Sequence, residues 1–227
     1  MRSPRVLTTL LLASLGAAHA APALVLLHDF RTFVQTPELG AATQAKILRL
    51  VRATLNLPVC DGGEVRQELT GRFTRNTPQT AYLVFNCGTF AADMMREEFG
   101  RLVIFEKGQY VTHFKDIGDE VRLLPDVNRD GLHELLFITA IGPHMGSFIE
   151  NASVISLAGA KVRTLLDVDE AVHDTCSTGS PEDRSVAWRL RAEVAKRPIF
   201  TLDRYEAACG EGAPFRFQFS RRILANQ

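Results

Sequence analysis

The sequence has no excess of either charge. It has 26 Lys and Arg against 26 Asp and Glu, so no long-range field draws the protein towards nucleic acid or an anionic membrane. No apolar run approaches the roughly 20 residues that a bilayer-spanning helix needs. The signatures of a nucleophile elbow, a phosphate-binding loop, an HExxH zinc peptidase and a dinucleotide fold are all missing. No Cys-x-x-Cys or close Cys/His pair is present either, which speaks against a structural zinc site. What is present is ordinary for a globular chain: 227 residues, 46% apolar and 23% charged. That length can build a core without a metal or a disulfide as an absolute requirement.

The first twenty residues read as a cleavable secretory signal. Arg2 and Arg5 supply a positive start, Val6 to Leu15 a short apolar stretch, and Ala18-His19-Ala20 before Ala21 the small-x-small form that signal peptidase cuts. No cysteine stands at the cleavage point, so a lipid anchor is not expected. The expectation is a signal over 1–20 and a single β-rich domain over 21–227. That domain would be secreted or periplasmic, with no membrane span after signal cleavage. Cys60, Cys87, Cys176 and Cys209 all fall in the exported part, and an even count in an oxidising compartment predicts two disulfides. Four cysteines allow three connectivities; loop economy favours Cys60 with Cys87 and Cys176 with Cys209.

The pattern then divides into a helix and a series of strands. Thr36-Pro37-Glu38 offers a capping hydroxyl, a proline at the first helical position and an acid in the first turn. Ile47, Leu48, Val51 and Leu55 follow at helical spacing and Pro58 closes the run, which predicts a helix over about 37–56. From Val65 onward short β-rich runs take over: 82–87, 102–105 and 110–114, then 121–124, 135–140, 153–157 and 161–166. Thr89 to Phe99 is expected to hold one or two helical turns. The two series align at an offset of 51 residues, with Val84 on Leu135, Val103 on Val154, Ile104 on Ile155 and Gly108 on Gly159. The expected fold is mainly β with an N-terminal helix, built of propeller-blade-like antiparallel meanders in a partial or reduced propeller. The units are repeats over about 65–115 and 116–167 and a divergent C-terminal β unit over about 184–222.

The most specific motif is Asp126-Val127-Asn128-Arg129-Asp130-Gly131-Leu132-His133-Glu134. Side-chain oxygens at loop positions one, three and five, glycine at six and an acid at nine suit a hard cation such as calcium, and the Leu132 carbonyl supplies position seven. Asp, Asn and Gly in these places also make a well-formed turn without any ion. An EF-hand is excluded, because position twelve is Phe137 and the following residues read as strand. The motif resembles the calcium loop of FG-GAP repeats, the blades of integrin-type propellers, over Val121 to Leu166. The resemblance implies Asp126, Asn128, Asp130, Leu132 and Glu134 as ligands of a structural calcium ion. Two departures stand out: asparagine replaces one expected aspartate, and the equivalent loop one repeat earlier, Arg75 to Gln79, has no acids.

No spacing in the chain proves a catalytic site, so no catalytic residue is assigned. The best constellation is His113, His133, His144 and His173, with Glu150, Asp167, Asp169 and Glu170 near in sequence. Asp167, Asp169, Glu170, His173 and Asp174 read as an acidic turn after the fourth strand of the second series, and His144 as an exposed loop residue. The favoured function is an exported, non-catalytic module that binds a protein or polysaccharide at the cell envelope and carries a calcium loop. The alternative is a secreted or periplasmic hydrolase whose loop histidines and acids meet only in three dimensions.

Overall fold

The computed structural model describes residues 24–32, 37–56, 63–85, 100–115, 117–180, 182–210 and 212–226. The signal segment, the expected Cys60–Cys87 bridge and the expected turns between Thr89 and Phe99 lie outside them. The fold is mainly β with one α-helix, as the alternating apolar pattern requires, and its strands pair antiparallel in two sheets.

The smaller sheet is a four-stranded meander of β2 (Glu64–Gly71), β3 (Gln79–Phe85), β4 (Arg101–Glu106) and β5 (Gln109–Phe114). Helix α1 (Ala41–Leu55) lies on one of its faces. Ile47 and Val51, four residues apart on one helical stripe, pack on Val65, Val84, Val103 and Phe105. The helix begins later than the sequence predicts. Gly40 is its N-cap and makes no side-chain bond, while Asn56 in a left-handed conformation ends it by donating its N–H to Arg52 O. Pro37 and Glu38 thus lie ahead of the helix rather than in its first turn, and Thr36 lies outside the described residues.

The larger sheet has the order β12-β11-β10-β9-β8-β7-β6. Its strands are β6 (Glu120–Leu123), β7 (Leu135–His144), β8 (Ser147–Ser156), β9 (Arg163–Asp174), β10 (Arg184–Glu193), β11 (Ile199–Ala208) and β12 (Arg216–Leu224). β1 (Leu24–Asp29) pairs with the part of β10 that β9 leaves open. The 51-residue offset sets β3 on β7, β4 on β8 and β5 on β9, and Gly108 and Gly159 both take positive φ in the equivalent hairpin turns. β9 runs twelve residues against six for β5, and its extra length pairs with β10. The second meander therefore continues directly into the C-terminal strands as one sheet.

Alternation along β7 sends its residues into two cores. Leu135 and Phe137 face the smaller sheet, packing with Phe73, Leu83, Leu102 and Ile104. Leu136 and Ile138 face the other way, where Val154, Leu190, Phe200 and Leu202 join them, so the large sheet curls and packs on itself. The Cys176–Cys209 disulfide forms as predicted, tying the chain just after β9 to the chain just after β11.

A polar counterpart to these cores sits on β11. Asp203 is 1% exposed and accepts hydrogen bonds from Arg189 Nε at 2.9 Å, Arg191 at 2.8 Å and Ser220 Oγ at 2.6 Å. Burial works to raise its pKa, but the bonds from Ser220, Arg191 and Arg189 outweigh it and hold the carboxyl below the usual aspartate range. Asp203→Ala should cost about 2 to 3 kcal/mol, less than breaking a fully buried ion pair because both guanidinium groups keep partial exposure. The sign with pH follows from the depressed value. The carboxylate's contribution is complete above the ordinary aspartate pKa and is lost as pH falls through the lower folded value. Urea midpoints taken from neutral to about pH 3 should show a steeper acid loss in wild type than in Asp203→Ala.

Candidate cation loop

The loop from Leu124 to Glu134 joins β6 to β7 where the two sheets meet. Leu124 and Val127 are plugged into the large-sheet core, while Val121 and Leu135, just outside the loop, belong to the core between the sheets. Three backbone bonds fix it, one closing its own ends and two reaching it from outside. Leu124 N–H donates to Glu134 O, His133 N–H to Arg72 O in the β2–β3 loop, and Ala195 N–H to Val127 O from the β10–β11 turn. His133 Nδ1 also accepts the Arg72 N–H at 3.0 Å, so the ring proton sits on Nε2.

Inside the loop the side-chain oxygens converge. Gly131 takes φ +86° and Arg129 +60°, which folds the chain tightly enough for alternate residues to face one point. Asp126 Oδ1 accepts the Asp130 N–H at 3.2 Å and its Oδ2 the Gly131 N–H at 2.8 Å. Asn128 Oδ1 accepts the Asp130 N–H at 2.9 Å, and Asp130 Oδ1 accepts the Leu132 N–H at 2.9 Å. Asn128 Nδ2 donates to Asp130 Oδ2 at 3.0 Å. The structure thus brings Asp126, Asn128, Asp130 and Glu134 together, with one carboxylate oxygen of each of the three acids within 4.8 Å of the others. Leu132 is buried beside them.

Turn chemistry accounts for the first three side chains but not for the fourth. Glu134 is fully buried. Its Oε2 accepts the Val127 N–H at 2.8 Å, and its Oε1 is buried with no hydrogen-bond partner. Desolvation, reinforced by the charges of Asp130 and Asp126, pushes the Glu134 pKa up to about 8. Burying an unpaired carboxylate oxygen beside two other acids costs free energy that a neutral residue would avoid. A divalent cation at the point of convergence would supply the missing partner and remove the mutual repulsion. An all-oxygen donor set of this kind suits a hard cation.

The other residues singled out in the sequence are dispersed. His113 Nδ1 pairs with Tyr110 OH at 2.8 Å on β5, His133 holds the β2–β3 loop, and His173 Nδ1 lies 3.3 Å from Glu170 on β9. His144 is exposed at the end of β7 opposite Ser147, in a hairpin strand rather than a loop. Glu150, on β8, has its pKa raised by burial and by Glu120. Asp167, Asp169, Glu170, His173 and Asp174 do not form a turn. They lie in β9, which bulges between Val168 and Val172, with Glu170 at φ +52°, and then runs on as strand because its far end pairs with both β8 and β10. Ser153 Oγ donates to Asp167 at 2.6 Å across that pairing. Sequence reading missed the Asp203 cluster, whose Arg-x-Arg on β10 meets an aspartate on the neighbouring strand and so shows no local spacing.

Compared with protein-family models, with curated proteins and with solved structures, the chain matches none.

Proposed function

We propose that this chain is an exported, non-catalytic binding module of the cell envelope whose β6–β7 loop takes calcium as a structural lock between the two sheets. The observation that carries the reading is the buried Glu134, which leaves one carboxylate oxygen without a hydrogen-bond partner while its carboxylate clusters with those of Asp126 and Asp130. Asp126, Asn128, Asp130, Glu134 and the Leu132 carbonyl would hold the ion, which supplies charge neutralisation and no reaction. The loop is bonded both to the β2–β3 loop and to the β10–β11 turn, so stiffening it stiffens the junction of the fold. Calcium fits better than magnesium, which resists dehydration and requires a tighter octahedron. Export draws support from the Cys176–Cys209 disulfide, a bond that persists in oxidising compartments. Among the described residues, no helix is long and apolar enough to cross a membrane. The separate engagements of His113, His133 and His173 support a binding role over a hydrolytic one.

Thermal unfolding after chelation tests this. Metal that binds only the folded state adds RT ln(1 + [L]/Kd), about 1.4 kcal/mol at ten times Kd, which is a rise of a few degrees in Tm for a chain this size. Asp130→Ala should abolish the rise, and His144→Ala should leave it intact. Glu134→Gln is the sharper variant. It keeps an acceptor for the Val127 N–H and puts an N–H donor among the remaining carboxylates, so the chelated protein should be no less stable than wild type while the calcium response disappears. A Glu134→Gln protein that still gains stability from calcium would place the ion elsewhere.

A further inference from the structure

Beside the cation loop lies an open cleft of about 680 Å³ between the loop, the β8–β9 turn and the β10–β11 turn. Four cationic side chains line it: Arg129 from the loop, Lys161 from the β8–β9 turn, Arg163 from the start of β9, and Lys196 from the β10–β11 turn. Among the described residues none of the four is ion-paired, although ten other pairings fix charges elsewhere on the molecule. The chain as a whole is neutral, so four unpaired cations around one cleft are a local concentration and not a reflection of composition.

Two further features point to an occupant. Ser156 lines the cleft opposite Arg163 in the β8–β9 register, is 1% exposed, and its Oγ is buried without a hydrogen-bond partner. Its hydroxyl adds an unsatisfied polar group beneath the floor of the cleft. Val162, 52% exposed, offers an apolar surface between the cations. Asp130 also lines the cleft, so filling the adjacent loop with a cation would remove the one carboxylate that repels an anionic ligand there.

We infer that this cleft binds an acidic oligosaccharide, with Arg129, Lys161, Arg163 and Lys196 pairing its carboxylates and Val162 meeting the C–H face of a ring. The inference deepens the binding-module reading and rests on it. A peptide is the poorer fit. The cleft is broad and open rather than a slot for a side chain, and β8 and β9 are already paired with each other along it, leaving no strand edge for a peptide backbone.

The test is calorimetric titration of a hyaluronan oligosaccharide into calcium-loaded protein at low ionic strength, with the carboxyl-reduced oligomer and a poly-glutamate peptide as parallel probes. Wild type should bind the acidic sugar and not its reduced form, and added salt should weaken the binding. Lys161→Glu and Lys196→Glu, both at exposed positions, should each weaken it by about tenfold or more, because a like charge then faces the carboxylates. Both variants should keep the calcium-induced rise in Tm, which shows that the fold and the loop are intact. Absence of binding in protein that retains the calcium response overturns the cleft and leaves the loop reading standing. Loss of the calcium response in wild type overturns the loop reading instead. Equal binding of the reduced oligomer, tighter binding of poly-glutamate, or binding unchanged in both variants would each refute the acidic-sugar site.

Discussion

Phe73→Ala is expected to lower the stability of the chain by about 3 to 5 kcal/mol, the largest effect of any single truncation considered. Phe73 is fully buried where the two sheets meet, in contact with the cluster formed by Leu83, Leu102 and Ile104 on one side and Leu135 and Phe137 on the other. Its ring folds back over Gly71 so closely that a Cβ there would lie 2.8 Å from it. Removing the ring opens a cavity bounded by both sheets, and neither can close on it without disturbing its own hydrogen-bonded ladder. Phe73 also follows Arg72, whose backbone bonds the cation loop through His133. The loss should therefore appear as a lower urea midpoint, with the calcium response retained because no ligand side chain is touched. A loss below about 1 kcal/mol would mean that the inter-sheet core is not packed as described.

The second large effect belongs to the disulfide. Cys176 and Cys209 are 33 residues apart, and a bridge closing a loop of that length stabilises by about 3 to 4 kcal/mol in the chain-entropy account. It joins the chain ends of β9 and β11 on either side of β10. Cys176→Ser should lower the urea midpoint by a corresponding amount, and wild type and variant should converge when both are measured with a reductant. If reductant leaves the wild-type midpoint where it was, the bridge contributes little and the strands are held by their ladder and core alone.

The cation loop was legible because all of its oxygens fall within nine residues and glycine marks the turn. The property that separates a cation site from a bare turn was not legible. That property is the complete burial of Glu134, which depends on Val127 plugging one core and Leu135 the other. The strand order was readable in outline from alternation and from the 51-residue offset, whereas the continuity of the large sheet was not. β9 carries Asp167, Asp169, Glu170 and Asp174 on exposed or half-buried positions, and this polar run looks like a turn until its pairing with β10 is known. The late start of α1 has a similar cause, since the signal at Thr36 to Glu38 is locally sound and only the packing of Ile47 and Val51 decides which turns are helical. The basic cleft was invisible for a plainer reason. Lys161 and Arg163 stand two residues apart at the entry to β9, but Lys196 and Arg129 reach them only through the curl of the sheet.

The clustered carboxylates of Asp126, Asp130 and Glu134 could hold one metal ion between them. Calorimetric titration of calcium into chelated, dialysed protein addresses it most directly, with magnesium and the Glu134→Gln variant run alongside. Wild type should show a single saturable site for calcium with a dissociation constant on the order of 0.1 to 1 mM and weaker binding of magnesium, and the variant none. No saturable calcium binding by wild type, or binding that Glu134→Gln leaves unchanged, would contradict it and reduce the loop to a turn.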